Sequence, residues 1–150
     1  MHCFYMKQSK ISVEYNRNKS MSNKETKRIG NLGESIACKF LLMKGYALIE
    51  RNFRIKAGEI DIIAKKGQSI HFVEVKTVSR ESAYSASITQ DHRPEELVHA
   101  EKVRKIRAVA EFYLVSREIS LSAQIDVVAV EIEKSAQRAS CRLIEHAEWL

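Results

Sequence analysis

Residues 58–77 read GEIDIIAKKGQSIHFVEVKT and contain two runs of strand-forming residues joined by a Lys-Lys-Gly-Gln turn. The two runs, Glu59–Ala64 and Ser69–Thr77, are short and rich in isoleucine and valine, as is typical of neighbouring strands in a hairpin. A third run, Tyr46–Ile55, precedes them across the short turn 56–58. The sequence therefore predicts an antiparallel meander of three strands.

Helices are predicted on either side of this meander along the chain. Apolar residues recur at helical spacing over residues 23–44, and Gly45 is placed to end that helix. A second helix is predicted over 94–116, with Pro94 in its first turn. Residues 123–132 are apolar on both faces, which predicts an interior strand, and 142–145 form a short last strand. This order predicts an α/β fold in which a mixed sheet, the meander plus a further strand, is flanked by helices.

Composition predicts one globular domain with a basic arm. The chain has 150 residues, 45% of them hydrophobic, and its net charge is +6. Residues 1–30 hold seven basic and two acidic residues, so most of the excess charge lies near the N-terminus. We expect residues 1–22 to be a disordered basic arm and 23–150 to be the domain. Met21, directly before the first predicted helix, is a second candidate start of the natural chain.

Several classes of protein are disfavoured by what the sequence lacks. No apolar run has the length of a membrane span or of a signal peptide. The three cysteines are far apart and form no C-x-x-C pair, which disfavours a disulfide framework and favours a cytoplasmic location. The histidines form no H-E-x-x-H motif, and the glycines form neither a P-loop nor a nucleophile elbow. The remaining candidate chemistry is that of carboxylates and lysines.

Two acidic residues and a lysine stand inside the apolar meander. Asp61 lies in the middle of one strand, and Glu74 and Lys76 lie in the next. Alternate residues of a strand share a face, so Glu74 and Lys76 point the same way. A hairpin would bring Asp61 close to Glu74 on that face. The apolar residues expected on the opposite face are Ile60, Ile62, Val73 and Val75.

This arrangement predicts a divalent metal site. Two carboxylates roughly 5 Å apart repel by about 3 kcal/mol at an effective dielectric constant of 20, and a divalent cation removes that repulsion. Oxygen ligands favour Mg²⁺ or Mn²⁺, which also bind substrate phosphates. Lys76 is then placed to hold a scissile phosphate or to position the attacking water. Glu34, in the first predicted helix, is a third candidate carboxylate. The alternative is a half-exposed sheet face on which Glu74 and Lys76 are solvated or paired with residues of a neighbouring strand.

Motifs along most of the chain resemble one family. They are Gly33-Glu34-Ser35-Ile36-Ala37, Gly45-Tyr46, Glu50-Arg51-Asn52-Phe53-Arg54, Gly58-Glu59-Ile60-Asp61, Phe72-Val73-Glu74-Val75-Lys76-Thr77, Tyr113-Leu114 and Asp126-Val127-Val128-Ala129. Together they resemble the YraN-like family of small bacterial proteins over roughly residues 26–149. That family is similar to the Holliday junction resolvases of the restriction-endonuclease-like superfamily.

The resemblance implies a role for each site residue. Asp61, Glu74 and Lys76 fall on the strand acid and the E-x-K motif of those nucleases, and Glu34 falls on their helix glutamate. The backbone carbonyl of Val75 would be a further metal ligand. The resemblance also implies a dimer that acts on branched DNA.

Basic residues of the second predicted helix are candidates for contact with nucleic acid. Lys102, Arg104 and Lys105 are placed to contact DNA phosphates, or else they form a solvated helix face with neighbouring acids. The first functional hypothesis is therefore a cytoplasmic, Mg²⁺- or Mn²⁺-dependent DNA endonuclease for structured or branched DNA in repair or recombination. The alternative is a non-catalytic DNA- or partner-binding module on a nuclease fold.

Overall fold

A computed structural model of the protein describes residues 8–12, 23–80 and 100–149. Its elements are β1 (Gln8–Ser12), α1 (Asn23–Met43), β2 (Ala47–Ile55), β3 (Gly58–Lys66), β4 (Ser69–Arg80), α2 (Ala100–Ser116), β5 (Ser122–Glu133) and β6 (Arg138–Trp149). The predicted start of the second helix at Pro94 lies outside the described residues.

The strands form one mixed sheet in the order β1-β6-β5-β4-β3-β2. The predicted meander is confirmed, because β2 pairs antiparallel with β3 and β3 with β4. β5 then lies parallel to β4 and antiparallel to β6. A parallel neighbour requires a crossover connection, and α2 belongs to that connection between β4 and β5. The α/β fold class and the interior position of β5 are as predicted.

The two helices cover opposite faces of this sheet. On one face, Ile36, Phe40 and Leu41 of α1 pack with Ile62 and Val73. On the other face, the buried residues of α2 pack with strand residues, and the members of this second core are Ile60, Ile63, Ile70, Phe72, Ile106, Val109, Ala110, Tyr113, Ala123 and Ile125. The central strands β3, β4 and β5 are therefore largely buried on both sides, which explains their nearly continuous apolar sequences.

One local feature ends α1 where the sequence predicts. Gly45 has a φ of +81°, a left-handed conformation that glycine adopts without a side-chain clash. The N–H of Gly45 donates to the carbonyl of Leu42 and the N–H of Tyr46 to the carbonyl of Leu41, each at 3.0 Å. These bonds satisfy carbonyls at the helix end and turn the chain into β2.

The structure differs from the sequence expectations in three places. Within the segment 1–22 that we expected to be disordered, Gln8–Ser12 forms β1 and pairs with β6. The last strand, β6, spans Arg138–Trp149 and is longer than the predicted 142–145. Ile60 was expected beside Ile62 but packs in the core under α2. We attribute this last difference to the end of the pairing between β3 and β4 at Ile62 and Val73. The candidate site lies at the same point.

Candidate active site

The candidate site lies where the ladder between β3 and β4 ends. The described pairing runs from Lys66 opposite Ser69 to Ile62 opposite Val73, and the next positions in this register are Asp61 and Glu74. Beyond this point β3 remains paired with β2 to Gly58, while β4 remains paired with β5 to Arg80. We call this point of divergence the β3–β4 fork, defined by Asp61 and Glu74.

The side chain of Asp61 replaces a backbone partner at the fork. The N–H of Val75 donates to Oδ2 of Asp61 at 2.8 Å. An N–H that would otherwise lack a ladder partner is thereby satisfied, as buried backbone donors require. The bond also orients the Asp61 carboxylate across the opening between the two strands. Asp61 and Glu74 lie close enough to interact electrostatically, as the hairpin reasoning expects for these two residues.

Glu74 is a buried carboxylate with one unsatisfied oxygen. The residue is only 4% exposed. Its Oε1 accepts from Nζ of Lys76 at 2.9 Å and lies 3.3 Å from Nζ of Lys102. Its Oε2 is buried and has no hydrogen-bond partner. Leaving a buried acceptor unsatisfied costs about 1–3 kcal/mol, and more when it is charged, so this oxygen is a site at which a cation would be stabilising.

The pKa of Asp61 is raised from 3.8 to about 7. The main cause is burial, which removes water from the carboxylate, followed by repulsion from Glu74. The hydrogen bond from Val75 and the charge of Lys102 act in the opposite direction, and Glu34 adds a smaller repulsion. Such a shift from desolvation and a like charge is typical of functional sites.

Glu34 approaches the fork from α1, and Gly33 makes that approach possible. A Cβ on Gly33 would lie 2.7 Å from Cγ2 and 2.8 Å from Cβ of Thr77 and would overlap its Oγ1. The helix therefore crosses β4 at a distance that only glycine permits. The Glu34 carboxylate is mostly buried and lies 3.8 Å from a guanidinium nitrogen of Arg51. Glu34 thus belongs to the electrostatic environment of Asp61.

The donor set at the fork suits a hard divalent cation but is incomplete in this structure. Carboxylate oxygens are the ligands that Mg²⁺ and Mn²⁺ prefer, and the unpartnered oxygen of Glu74 is one such donor. In the ranges 23–80 and 100–149, no three histidine, cysteine, aspartate or glutamate side chains lie close enough together to hold a metal ion. The fork therefore supplies two protein carboxylates, and waters and substrate oxygens would complete the coordination, as Mg²⁺ commonly requires.

The structure connects one of the basic residues predicted to contact nucleic acid with the fork. Lys102 reaches it through its contact with Glu74. Lys105 pairs with Glu101 one helical turn away, at 2.9 Å. Arg104 is exposed on the same helix. The contact of Lys102 with Glu74 was not predicted, because it depends on how α2 packs across the sheet.

A second polar cluster, on the α1 face of the sheet, was also missed by the sequence analysis. Nδ1 of His71 lies 2.6 Å from Oδ2 of Asp126, and Nε2 of Gln124 donates to Oδ1 of Asp126 at 2.7 Å. Tyr46 packs its ring edge-on against His71 and donates its hydroxyl to Glu145 at 3.1 Å. Burial and the charge of Glu145 raise the pKa of Tyr46. The only sequence signal for this cluster was a charged residue, Asp126, inside an apolar strand.

Comparison with known proteins places the site within one family. The sequence model of the uncharacterised protein family UPF0102 matches residues 33–130. A UPF0102 protein of Campylobacter fetus is 38% identical over 105 residues, which cover 70% of this chain and 85% of that protein. A UPF0102 protein of Thermotoga maritima is 43% identical over 100 residues, which cover 67% of this chain and 83% of that protein. Residues 33–130, which the family model matches, contain every predicted site residue. Among the described residues, no helix has the length and apolarity needed to cross a membrane.

Proposed function

We propose that this chain, which belongs to the uncharacterised protein family UPF0102, is a metal-dependent endonuclease that hydrolyses phosphodiester bonds in structured or branched DNA. The family is YraN-like and has a restriction-endonuclease-like fold, as the sequence motifs indicated. The observation that carries the proposal is the unpartnered Oε2 of Glu74, which is buried beside Asp61 at the β3–β4 fork. A purely structural role would not require an acceptor without a donor at this position.

The residues that would hold Mg²⁺ or Mn²⁺ are Asp61 and Glu74. The family resemblance implies the carbonyl oxygen of Val75 and Glu34 as further ligands, but Glu34 does not form a three-residue metal cluster with Asp61 and Glu74 in this structure. A divalent cation bound here would polarise a phosphoryl oxygen and lower the pKa of a bound water. The raised pKa of Asp61 means that two full negative charges at the fork are disfavoured, so bringing in positive charge is favourable.

The chain's own residues supply positioning and charge around the phosphate. The N–H of Val75 holds Oδ2 of Asp61 in place at the fork. Lys76 and Lys102 both direct their ammonium groups to Oε1 of Glu74. When Glu74 has another cationic partner, these ammonium groups become free to hold a phosphate oxygen or to orient the attacking water.

Metal binding can be tested without measuring cleavage. Titration with Mn²⁺ should raise the melting temperature of the wild-type protein, and Glu74→Gln should abolish that increase. Lys39→Gln, an exposed change on α1, is the matched control and should respond like the wild type. An equal increase in the wild type and Glu74→Gln would refute the assignment of the metal to the fork.

A second candidate function is the non-catalytic binding module. It is favoured by the two ammonium groups that already neutralise Glu74 and by the incomplete ligand set among the described residues. This candidate predicts salt-dependent DNA binding without metal-dependent turnover.

Location and assembly are part of the first proposal. The free thiols of Cys38 and Cys141 are consistent with a reducing cytoplasm. A homodimer that acts on branched DNA is what the resolvase resemblance implies. A molar mass from light scattering tests the dimer directly, and a value of 17.2 kDa at working concentration would contradict it.

A further inference from the structure

A groove lies between the turn that joins β2 to β3 and the first turns of α2. It has a volume of about 530 Å³ and is lined mainly by Arg54, Lys56, Glu59, Lys102 and Lys105. We call it the basic groove. The turn approaches α2 closely at Gly58, where a Cβ would lie 3.3 Å from Cγ2 of Val109. Its walls therefore come from a hairpin and a helix that are fixed against each other.

The charges of the basic groove are available to a ligand. Arg54 pairs with Glu59 at 2.7 Å and Lys105 pairs with Glu101 at 2.9 Å, and all four side chains are at least 43% exposed. Exposed ion pairs of this kind contribute only about 0–1 kcal/mol, so an anionic ligand can replace either acidic partner at little cost. Four basic residues against one acidic residue leave the lining strongly positive.

Lys102 connects the basic groove to the candidate active site. Its side chain lines the groove and its ammonium group lies 3.3 Å from Oε1 of Glu74. A ligand that follows the basic residues along the groove is therefore led to the buried carboxylate at the fork.

We propose that the basic groove binds the sugar-phosphate backbone of the nucleic-acid strand that is cut, and that it leads the scissile phosphate to Glu74. This proposal rests on the endonuclease function proposed above. Each strand of a duplex carries one phosphate per about 3.4 Å of helix axis, so cations spread along a groove match a repeated anion. The described lining residues include no aromatic ring for stacking on bases, and their charged groups are the lysines and arginine that bind phosphate oxygens, with Glu59. Binding should therefore depend mainly on phosphate charge.

The test measures binding in the presence of EDTA, where cleavage cannot occur. Fluorescence anisotropy follows a labelled four-way junction and a labelled duplex with Lys56→Glu, Lys105→Glu and the control Lys39→Glu, each across a salt titration. Lys39 is exposed on α1, so its reversal changes the net charge equally but leaves the groove intact. Thermal melting verifies that each variant is folded, and Lys56→Gln and Lys105→Gln repeat the test without introducing repulsion.

The groove variants should bind at least about tenfold more weakly than Lys39→Glu. The negative slope of the logarithm of the association constant against the logarithm of the salt concentration should also decrease in magnitude by about one for each lost phosphate contact. Binding that matches the control in both groove variants would overturn the proposal. So would displacement of the DNA by a poly-glutamate peptide at equal charge concentration, because that result assigns the groove to acidic protein segments.

The two proposals fail in distinguishable ways. If the groove variants lose binding but the wild type never cleaves DNA with Mn²⁺, backbone binding by the groove stands, whereas the nuclease function and the delivery of a scissile phosphate to Glu74 fail. If cleavage is metal-dependent but the groove variants bind and cleave like Lys39→Glu, the nuclease function stands and the groove assignment fails.

Discussion

Replacing Gly33 with alanine would insert a methyl group into the contact between α1 and β4. The new Cβ would lie 2.7 Å from Cγ2 and 2.8 Å from Cβ of Thr77, so rotating the Thr77 side chain cannot remove the whole clash. Gly30 lies in the same helix, and a Cβ there meets no atom within 4 Å. Both changes gain the same helix propensity, roughly 1 kcal/mol. The difference between the two variants therefore isolates the cost of overpacking, about 1–3 kcal/mol.

Urea unfolding followed by circular dichroism measures this difference. Gly30→Ala should be more stable than the wild type by up to about 1 kcal/mol, and Gly33→Ala should be less stable than Gly30→Ala by about 1–3 kcal/mol. Adding Thr77→Ala to Gly33→Ala should restore part of the loss, since Oγ1 and Cγ2 are removed but Cβ remains. If Gly33→Ala is as stable as Gly30→Ala, the close crossing of α1 over β4 is wrong, and with it the placement of Glu34.

Four further outcomes follow from the geometry. Without metal, the free energy of unfolding should fall by at most about 4 kcal/mol as the pH rises from about 4 to about 7. Because the pKa of Asp61 is raised, the folded state binds more protons than the unfolded state in that window. Urea unfolding midpoints measured across this range test the sign. Asp61→Asn should be more stable than the wild type at pH 8 without metal, because it removes a disfavoured charge while its amide oxygen can still accept from Val75; a lower melting temperature contradicts this. Lys102→Ala should bind Mn²⁺ roughly tenfold more tightly by calorimetry, since a competing cation leaves Glu74; unchanged affinity contradicts it. Asp126→Ala should destabilise the fold by about 3–5 kcal/mol, because it leaves the ring of His71 without its buried partner; a loss under about 1 kcal/mol would be inconsistent with the buried pair.

The central part of the site could be predicted because it depends on local rules. Strand alternation placed Glu74 and Lys76 on one face, and the short turn between the two strands set the register that brings Asp61 opposite Glu74. The space left by Gly33 was also readable, because a glycine inside a helix usually has a packing reason. Each of these inferences needs only local information: the alternation of side chains along a strand, the length of one turn, or the residue type at one helix position.

The parts that could not be predicted depend on contacts between distant segments. Lys102 reaches Glu74 only because α2 packs across the sheet, and His71 reaches Asp126 only because β4 and β5 are parallel in one particular register. Ile60 changes side because β3 leaves β4 after Ile62, a bend that alternation alone does not contain. β1 is a short polar strand whose pairing edge exists only once β6 is in place.

The most direct test of the central claim is cleavage of a labelled four-way junction, a flap, and linear single- and double-stranded DNA, with Mn²⁺ and with EDTA. Wild type, Asp61→Asn and Lys39→Gln are compared at equal concentration, with Lys39→Gln as the folded control. The account predicts Mn²⁺-dependent cutting by the wild type and Lys39→Gln, strongest on a branched substrate, and none by Asp61→Asn. Cutting by Asp61→Asn at the wild-type rate, or no cutting of any substrate by the wild type, would contradict it.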